Sequence, residues 1–175
     1  VVPDKTDNSE VHGASLRPKY LDDSLISTPQ LGLARCRLEI GRLGDRIREM
    51  FDKILPAVLI GSRQDLQEIV EIDDEVDALY GEIVMYLGKL SKTNLSDEHA
   101  EELLFLFQTV DRLENIGDIM EKNMVRVGIK RIDDNIIVSE ATLKIINDYH
   151  AQITRVLKDT VDVITNDDLD AINRV

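Results

Sequence analysis

Long amphipathic helical patterns with few interruptions constrain this chain more than any other feature. Apolar residues recur at intervals of three and four, and few of the 9 glycines and 4 prolines fall inside these runs. Leu, Ile and Val supply the apolar content, whereas aromatic residues make up only 4% and Trp is absent. The pattern predicts an all-α fold, an antiparallel helical bundle with short connections. The predicted helices span residues 29–61, 62–90, 96–127 and 139–165.

Local signals define the helix ends and the domain boundary. Thr28 is a predicted N-cap with Pro29 in the first helical position, and Pro56 is expected to kink or end that helix. Residues 1–19 are polar and mixed, which predicts a linker or tail. Residues 20–175 therefore form the predicted helical domain, and its first ten residues are expected to dock as an extended segment.

The second half of the chain predicts a connector and a fourth helix. Gly128 is interpreted as the C-cap of the third helix, and residues 128–138 as a connector whose apolar residues 136–138 pack down. The first and fourth helices share length, apolar spacing and a following acidic turn. This similarity indicates a three-helix unit that is repeated, of which the second copy contributes only its first helix.

Charge limits the classes of partner. The formal net charge is −13, from 34 acidic and 21 basic residues, which disfavours nucleic acid and attracts cations. No run approaches the roughly 20 apolar residues of a membrane span, so direct membrane insertion is not expected. The single cysteine, Cys36, is interpreted as a packing residue, because no basic neighbour is positioned to lower its pKa.

Two helices each carry a pair of carboxylates on the side that faces the core. On a helical wheel, Asp73 lies inside the apolar arc of the second helix and Asp77 near its edge. In the third helix, Glu114 lies inside the apolar stripe and Asp118 at its margin. Asp73 and Asp118 are equidistant in sequence from the connecting loop, and so are Asp77 and Glu114. Antiparallel packing is therefore expected to bring the four carboxylates to the same level.

Two explanations remain open for such a cluster. Carboxylate oxygens one turn apart on facing helices can bind a divalent or trivalent ion, with Fe, Mn, Zn, Mg and Ca as candidates. Alternatively, Arg and Lys side chains of the first or fourth helix neutralise the acids; those available include Arg35, Arg42, Arg46 and Arg48. A ferritin-like metalloenzyme would need histidine ligands in E-x-x-H spacing, and none occurs here. We therefore do not expect an enzyme.

Three sequence strings resemble a known family. "RLENIGDIMEKN" (112–123) is similar to the signature of the PhoU family, and "EIDDEVDALYGEI" (71–83) to its companion on the preceding helix. "PKYLDDSLISTPQLGLARCRLEI" (18–40) resembles the junction after the last membrane helix of bacterial sodium/phosphate cotransporter-like proteins that carry a cytosolic PhoU-like domain. Asn115 stands where the family often has Arg.

The resemblance implies a fold of one three-helix PhoU repeat plus the first helix of a second. It implies a regulatory role in phosphate transport at the cytoplasmic face of the bacterial inner membrane, with the transmembrane portion of the same protein as partner. It also implies metal binding by Asp73, Asp77, Glu114 and Asp118. The alternative is a metal-free structural or oligomerisation bundle, in which the fourth helix packs on the other three or against the second copy of a homodimer.

Overall fold

Five α-helices and one π-helical turn make up most of residues 17–166, the part of the chain that the computed structural model describes. The elements are α1 (Pro29–Leu59), α2 (Arg63–Leu90), α3 (Asp97–Asp118), a π-helical turn (Ile119–Met124), α4 (Val125–Asp133) and α5 (Glu140–Asn166). No strand occurs within residues 17–166. The predicted all-α architecture is confirmed. Most of the predicted tail and the last nine residues lie outside the described range.

Helix α1 is the centre of the bundle, because α2, α3, α4 and α5 all pack against it. It buries a continuous apolar stripe whose members recur at helical spacing: Leu33, Ile40, Leu43, Ile47, Met50 and Ile54. Gly41 and Gly44 lie where α5 crosses. A Cβ at Gly44 would come within 2.5 Å of Val161, so the missing side chain allows the close approach of the two helices.

The polar ends of the helices explain the short connection between α1 and α2. Pro56 lies inside α1, three residues before its end, and Ile60 donates its backbone N–H to the Pro56 carbonyl. Ser62 then begins α2 with a capping box, in which its hydroxyl accepts from the Asp65 N–H and Asp65 accepts from the Ser62 N–H. Ser96 caps α3 through the His99 N–H. These caps determine where α2 and α3 begin.

The third predicted helix is longer than its sequence pattern indicated. It continues through the π-helical turn into α4, and Gly128 is a buried position of α4 and not a C-cap. A Cβ there would lie 2.7 Å from Leu66 and 3.3 Å from the Val58 Cα, so this glycine serves packing. Asn135 ends the helix instead, with a φ of 52° that places it in the left-handed region.

Two predicted loop conformations were wrong. Residues 20–28 contain a 3-10 turn, Asp23–Leu25, and are not simply extended. This entry segment is held by buried Glu39, whose carboxylate accepts the backbone N–H groups of Lys19 and Tyr20 and pairs with Arg42. At the other end, Ile137 is 93% exposed, so the connector does not pack down there. Leu21 and Ile26 of the entry segment do pack against the core, whereas Ile137 of the connector stays exposed.

Helix α5 packs on α1 as the fourth helix of the bundle, which is one of the two arrangements that the sequence left open. Leu157, Val161 and Ile164 are buried on this side. The His150 ring stacks on Phe51 with centroids 4.4 Å apart, and its Nε2 lies 2.8 Å from the Phe51 carbonyl oxygen. These contacts fix the rotation of α5 about its own axis, and therefore which of its faces points to solvent.

Candidate metal centre

Asp73 is the most unusual ionisable residue of the described chain. It lies on the inner face of α2 with only 6% of its surface exposed, and its Oδ1 is buried without a hydrogen-bond partner. Burial raises the pKa of its carboxyl group to about 7, and the neighbouring negative charges of Asp77, Glu121 and Asp118 act in the same direction. A buried, unpartnered carboxylate is costly unless a cation compensates it.

Two further carboxylates meet Asp73 at this point. One oxygen from each of Asp73, Asp118 and Glu121 lies within 4.8 Å of the other two. Oxygen ligands of a single Ca²⁺ or Mg²⁺ lie at ~2.0–2.6 Å from the ion, hence at most about 5 Å from one another. The three carboxylates therefore fit one hard cation, with an oxygen-only ligand set.

The other two predicted ligands lie around this group. Asp77 is exposed one turn along α2, and Glu114 is half-buried one turn before Asp118 on α3. Burial raises the pKa of Glu114, and so do the negative charges of Asp118 and Asp77, two of the other three predicted ligands. The structure thus brings Asp73 and Asp118 together, and sets Asp77 and Glu114 at the periphery.

Arginines of α1 do not neutralise this group in the described structure. Arg42 pairs with Glu39, Arg46 with Glu49 and Glu75, and Arg48 with Asp45. The cation that does reach the group is Lys122, which pairs with Asp118 from the next turn of the same helix. Its side chain is 62% exposed, so its ammonium can leave this pair at little cost.

Gly117 makes room for the buried carboxylate. A Cβ at this position would lie 2.7 Å from Asp73 Oδ1 and 3.2 Å from the Ile47 Cδ1. The missing side chain at Gly117 therefore lets the Asp73 carboxylate approach the backbone of α3 closely. A larger residue here would require the Asp73 carboxylate to shift.

Glu121 is the ligand candidate that the sequence reasoning missed. It belongs to the π-helical turn that begins directly after Asp118. Such a turn adds one residue to the helix and shifts the faces that follow, and such turns are frequent at functional sites. The apolar pattern carries no signal of this turn, because Met124 follows Met120 at the regular interval of four residues.

Comparison with known proteins supports the family resemblance for half of the chain. Residues 40–126 match the PhoU domain, so this segment is PhoU-like, and it contains Asp73, Asp77, Glu114, Asp118 and Glu121. Proteins named "Putative inorganic phosphate export protein YjbB" from Escherichia coli and Salmonella typhimurium are each 28% identical over 160 residues. The aligned region is 91% of this chain but 29% of those relatives. No solved structure matches significantly.

Within residues 17–166, none of the helices combines the length and the apolar content needed to cross a bilayer.

Proposed function

We propose that this chain is a regulatory, non-catalytic module of a phosphate-transporting membrane protein, and that it binds a divalent cation at Asp73, Asp118 and Glu121. The observation that carries the proposal is the buried Asp73 oxygen without a hydrogen-bond partner, beside two further carboxylates. In this view the ion compensates the negative charge of the buried Asp73 carboxylate. It also links α2 to the helix formed by α3 and the π-helical turn.

The link to phosphate transport rests on similarity. The PhoU-like segment and the relatives named for inorganic phosphate export both support it. Because the chain spans only about 29% of the length of those relatives, we propose that the remainder supplies the transmembrane transporter, as the junction string at residues 18–40 implies. The module would then act at the cytoplasmic face of the bacterial inner membrane, attached to a sodium/phosphate symporter-like portion.

The ligand chemistry favours a hard cation. The group contains only carboxylates, which suit Mg²⁺, Ca²⁺, Mn²⁺ or Fe ions better than softer ions that prefer nitrogen or sulfur. We propose Asp77 and Glu114 as outer members that add negative charge, and Asp73 as the central ligand. Removing the charge of buried Asp73 would then weaken ion binding more than removing the charge of Asp77 or Glu114.

Isothermal titration of the metal-stripped chain with Mn²⁺ and Mg²⁺ tests the site. We expect Asp73→Asn and Glu121→Gln to weaken binding by at least tenfold, and Asp77→Asn or Glu114→Gln by a few-fold. Asp74→Asn is the matched control, since Asp74 is the exposed neighbour of Asp73 on α2 and should bind like wild type. Equal affinity of wild type and Asp73→Asn would contradict the site.

Transport measurements test the regulatory role separately. In the full-length transporter, Asp73→Asn should change phosphate flux while the amount of protein in the membrane stays the same. If flux is unaffected although the variant no longer binds the ion, the metal site stands and its regulatory role is wrong.

A further inference from the structure

A strap formed by residues 17–28, which include the entry segment, lies back along the first part of α1. Glu39 of α1 accepts the backbone N–H groups of Lys19 and Tyr20 at 2.9 and 2.6 Å. The strap leads directly into Pro29, the first residue of α1, so it must run back beside the helix to reach Glu39. These two residues of α1 are separated by a rise of ~15 Å. The chain therefore meets the bundle at the side of α1 and not at its end.

The anchor of the strap is a charge-assisted contact in the protein interior. The Glu39 side chain is fully buried, and Arg42, one turn further along α1, pairs with its Oε1. The two N–H groups of the strap both donate to the other oxygen, Oε2. Hydrogen bonds to an ionised group are roughly twice as strong as those between neutral groups. An uncharged residue at position 39 would therefore hold the strap much less firmly.

The remaining attachments of the strap are ones that water can replace. Tyr86 donates its hydroxyl to the Asp22 carbonyl oxygen at 2.9 Å, and exposed Lys89 pairs with exposed Asp23. No residue within 17–28 is fully buried, and two apolar side chains of the strap pack only partly against the core. Segments with few buried apolar contacts open locally at a low cost in free energy. The strap can therefore detach while the helical bundle stays folded.

We propose that Glu39 and the strap form a releasable clamp, which opens without unfolding the bundle. In the clamped state the chain before residue 17 is held beside α1. Release would free residues 20–28, which as an extended chain span up to ~30 Å, and would move the attachment point to the start of α1. The clamp thus allows two arrangements of the bundle relative to the preceding chain. This inference does not depend on the metal site or on the link to phosphate transport.

Amide hydrogen exchange of the 175-residue chain, followed residue by residue by NMR, tests the clamp. We expect the amides of Lys19 and Tyr20 to be protected in the wild type and to exchange by local opening, with little response to low concentrations of urea. The amide of Ile47, a fully buried residue of α1, should exchange through larger unfolding that urea accelerates strongly. Glu39→Gln should accelerate exchange at Lys19 and Tyr20 at least tenfold, whereas Ile47 stays protected and shows that the variant is folded.

Trypsin gives an independent measurement, because the Lys19–Tyr20 peptide bond carries an N–H group that Glu39 accepts. Cleavage at this bond should be at least tenfold faster for Glu39→Gln. It should be a few-fold faster for Tyr86→Phe, which removes a second attachment and leaves Glu39 in place. Glu49→Gln is the matched control, since Glu49 also pairs with an arginine of α1, and its cleavage rate should equal that of wild type.

Three results would overturn the proposal. Amides of Lys19 and Tyr20 that exchange freely in the wild type would show that no clamp forms. Amides that exchange only together with the core would show that the strap is not releasable. Equal rates for wild type and Glu39→Gln would show that the carboxylate does not hold the strap. If Glu39→Gln does not fold, Tyr86→Phe decides, and cleavage at the wild-type rate then overturns the clamp.

Discussion

The acidic cluster and the open apolar groove between α3 and α5 depart from the usual pattern of burial in opposite directions. At the cluster, a carboxyl group that ought to be in water is 6% exposed, whereas at the groove, Ile153 and Val156 are about half exposed. Each feature costs free energy in the isolated chain, and each would be relieved by a different partner. A compact positive ion would neutralise the cluster, and an extended apolar surface would cover the groove.

Helix α3 contributes to both regions, from different faces. Ile116 lines the groove, and Asp118, two residues later, belongs to the carboxylate group. The comparison shows that one helix can carry an electrostatic and an apolar site side by side, because neighbouring positions on a helix point in different directions. A change of pH or of a charged residue should therefore act mainly on the cluster. A substitution that alters apolar surface should act mainly on the groove.

The largest expected effect is on the pH dependence of stability at the cluster. The folded-state pKa of Asp73 is raised to about 7 from an ordinary value of 3.8, so the folded chain binds the proton more tightly than the unfolded chain. Stability contributed by the neutral form is complete below about pH 4 and is lost as the pH rises through 7. At about 1.4 kcal/mol per pKa unit, the metal-free chain should lose about 2–3 kcal/mol between pH 5 and pH 8.

Urea unfolding of the chelator-treated chain at a series of pH values measures this loss. Asp73→Asn should be more stable than wild type at pH 8 and should show a much flatter profile. Glu114, whose pKa is also raised, adds a smaller change of the same sign. Carboxyl groups with lowered pKa, such as Asp65, act only at more acidic pH. Parallel profiles for wild type and Asp73→Asn would contradict the assignment of the effect to Asp73.

Substitution of a glycine gives the next largest expected change in stability. The test compares a crowded glycine position with an open one. Gly117→Ala should destabilise the chain by about 1–3 kcal/mol, because its Cβ would lie 2.7 Å from Asp73 Oδ1. Gly81→Ala is the matched control on α2, since nothing lies within 4 Å of a Cβ there. Removing a helical glycine at that open position should stabilise by up to about 1 kcal/mol. Thermal unfolding of both variants measures the difference, and equal melting temperatures would contradict the crowding at Gly117.

Substitution of Lys122 should give a smaller effect, on metal affinity, and it tests the electrostatics of the cluster. Its ammonium group pairs with Asp118 and must leave when an ion binds the same carboxylate. Lys122→Gln should therefore strengthen Mn²⁺ binding several-fold in isothermal titration. Lys130→Gln removes the same charge from an exposed position of α4 and controls for the overall field. An equal gain for both variants would show that only net charge matters.

Much of the fold could be predicted from the sequence, because periodicity and caps are local. The start of α1 after Thr28, the boundary between α1 and α2 at Ser62 and the cap at Ser96 all follow from adjacent residues. The continuation of the third helix past Gly128 could not be predicted, since it depends on contacts with Leu66 and Val58 that are distant in sequence. A glycine that permits packing and a glycine that ends a helix look alike in one sequence.

The candidate site was predictable in position but not in composition. The equidistance of Asp73 and Asp118 from the loop follows from antiparallel packing, and the structure brings these two carboxylates together. The recruitment of Glu121 depends on the π-helical turn, which a wheel of constant pitch does not represent. Whether Asp77 and Glu114 bind an ion directly stays a prediction, to be decided by their titration as single variants.

Salt should produce the smallest effect, and it should act mainly on the cluster. Metal binding joins opposite charges, so added NaCl weakens it by screening. Ile153 and Val156 of the groove carry no charge, so screening has no comparable attraction to weaken there. Raising NaCl from about 50 to 300 mM should therefore weaken Mn²⁺ affinity by a few-fold. Titration calorimetry at both salt concentrations measures the change, with Asp74→Asn as the control that should respond like wild type. A Mn²⁺ affinity that does not change with salt would contradict binding by the three carboxylates.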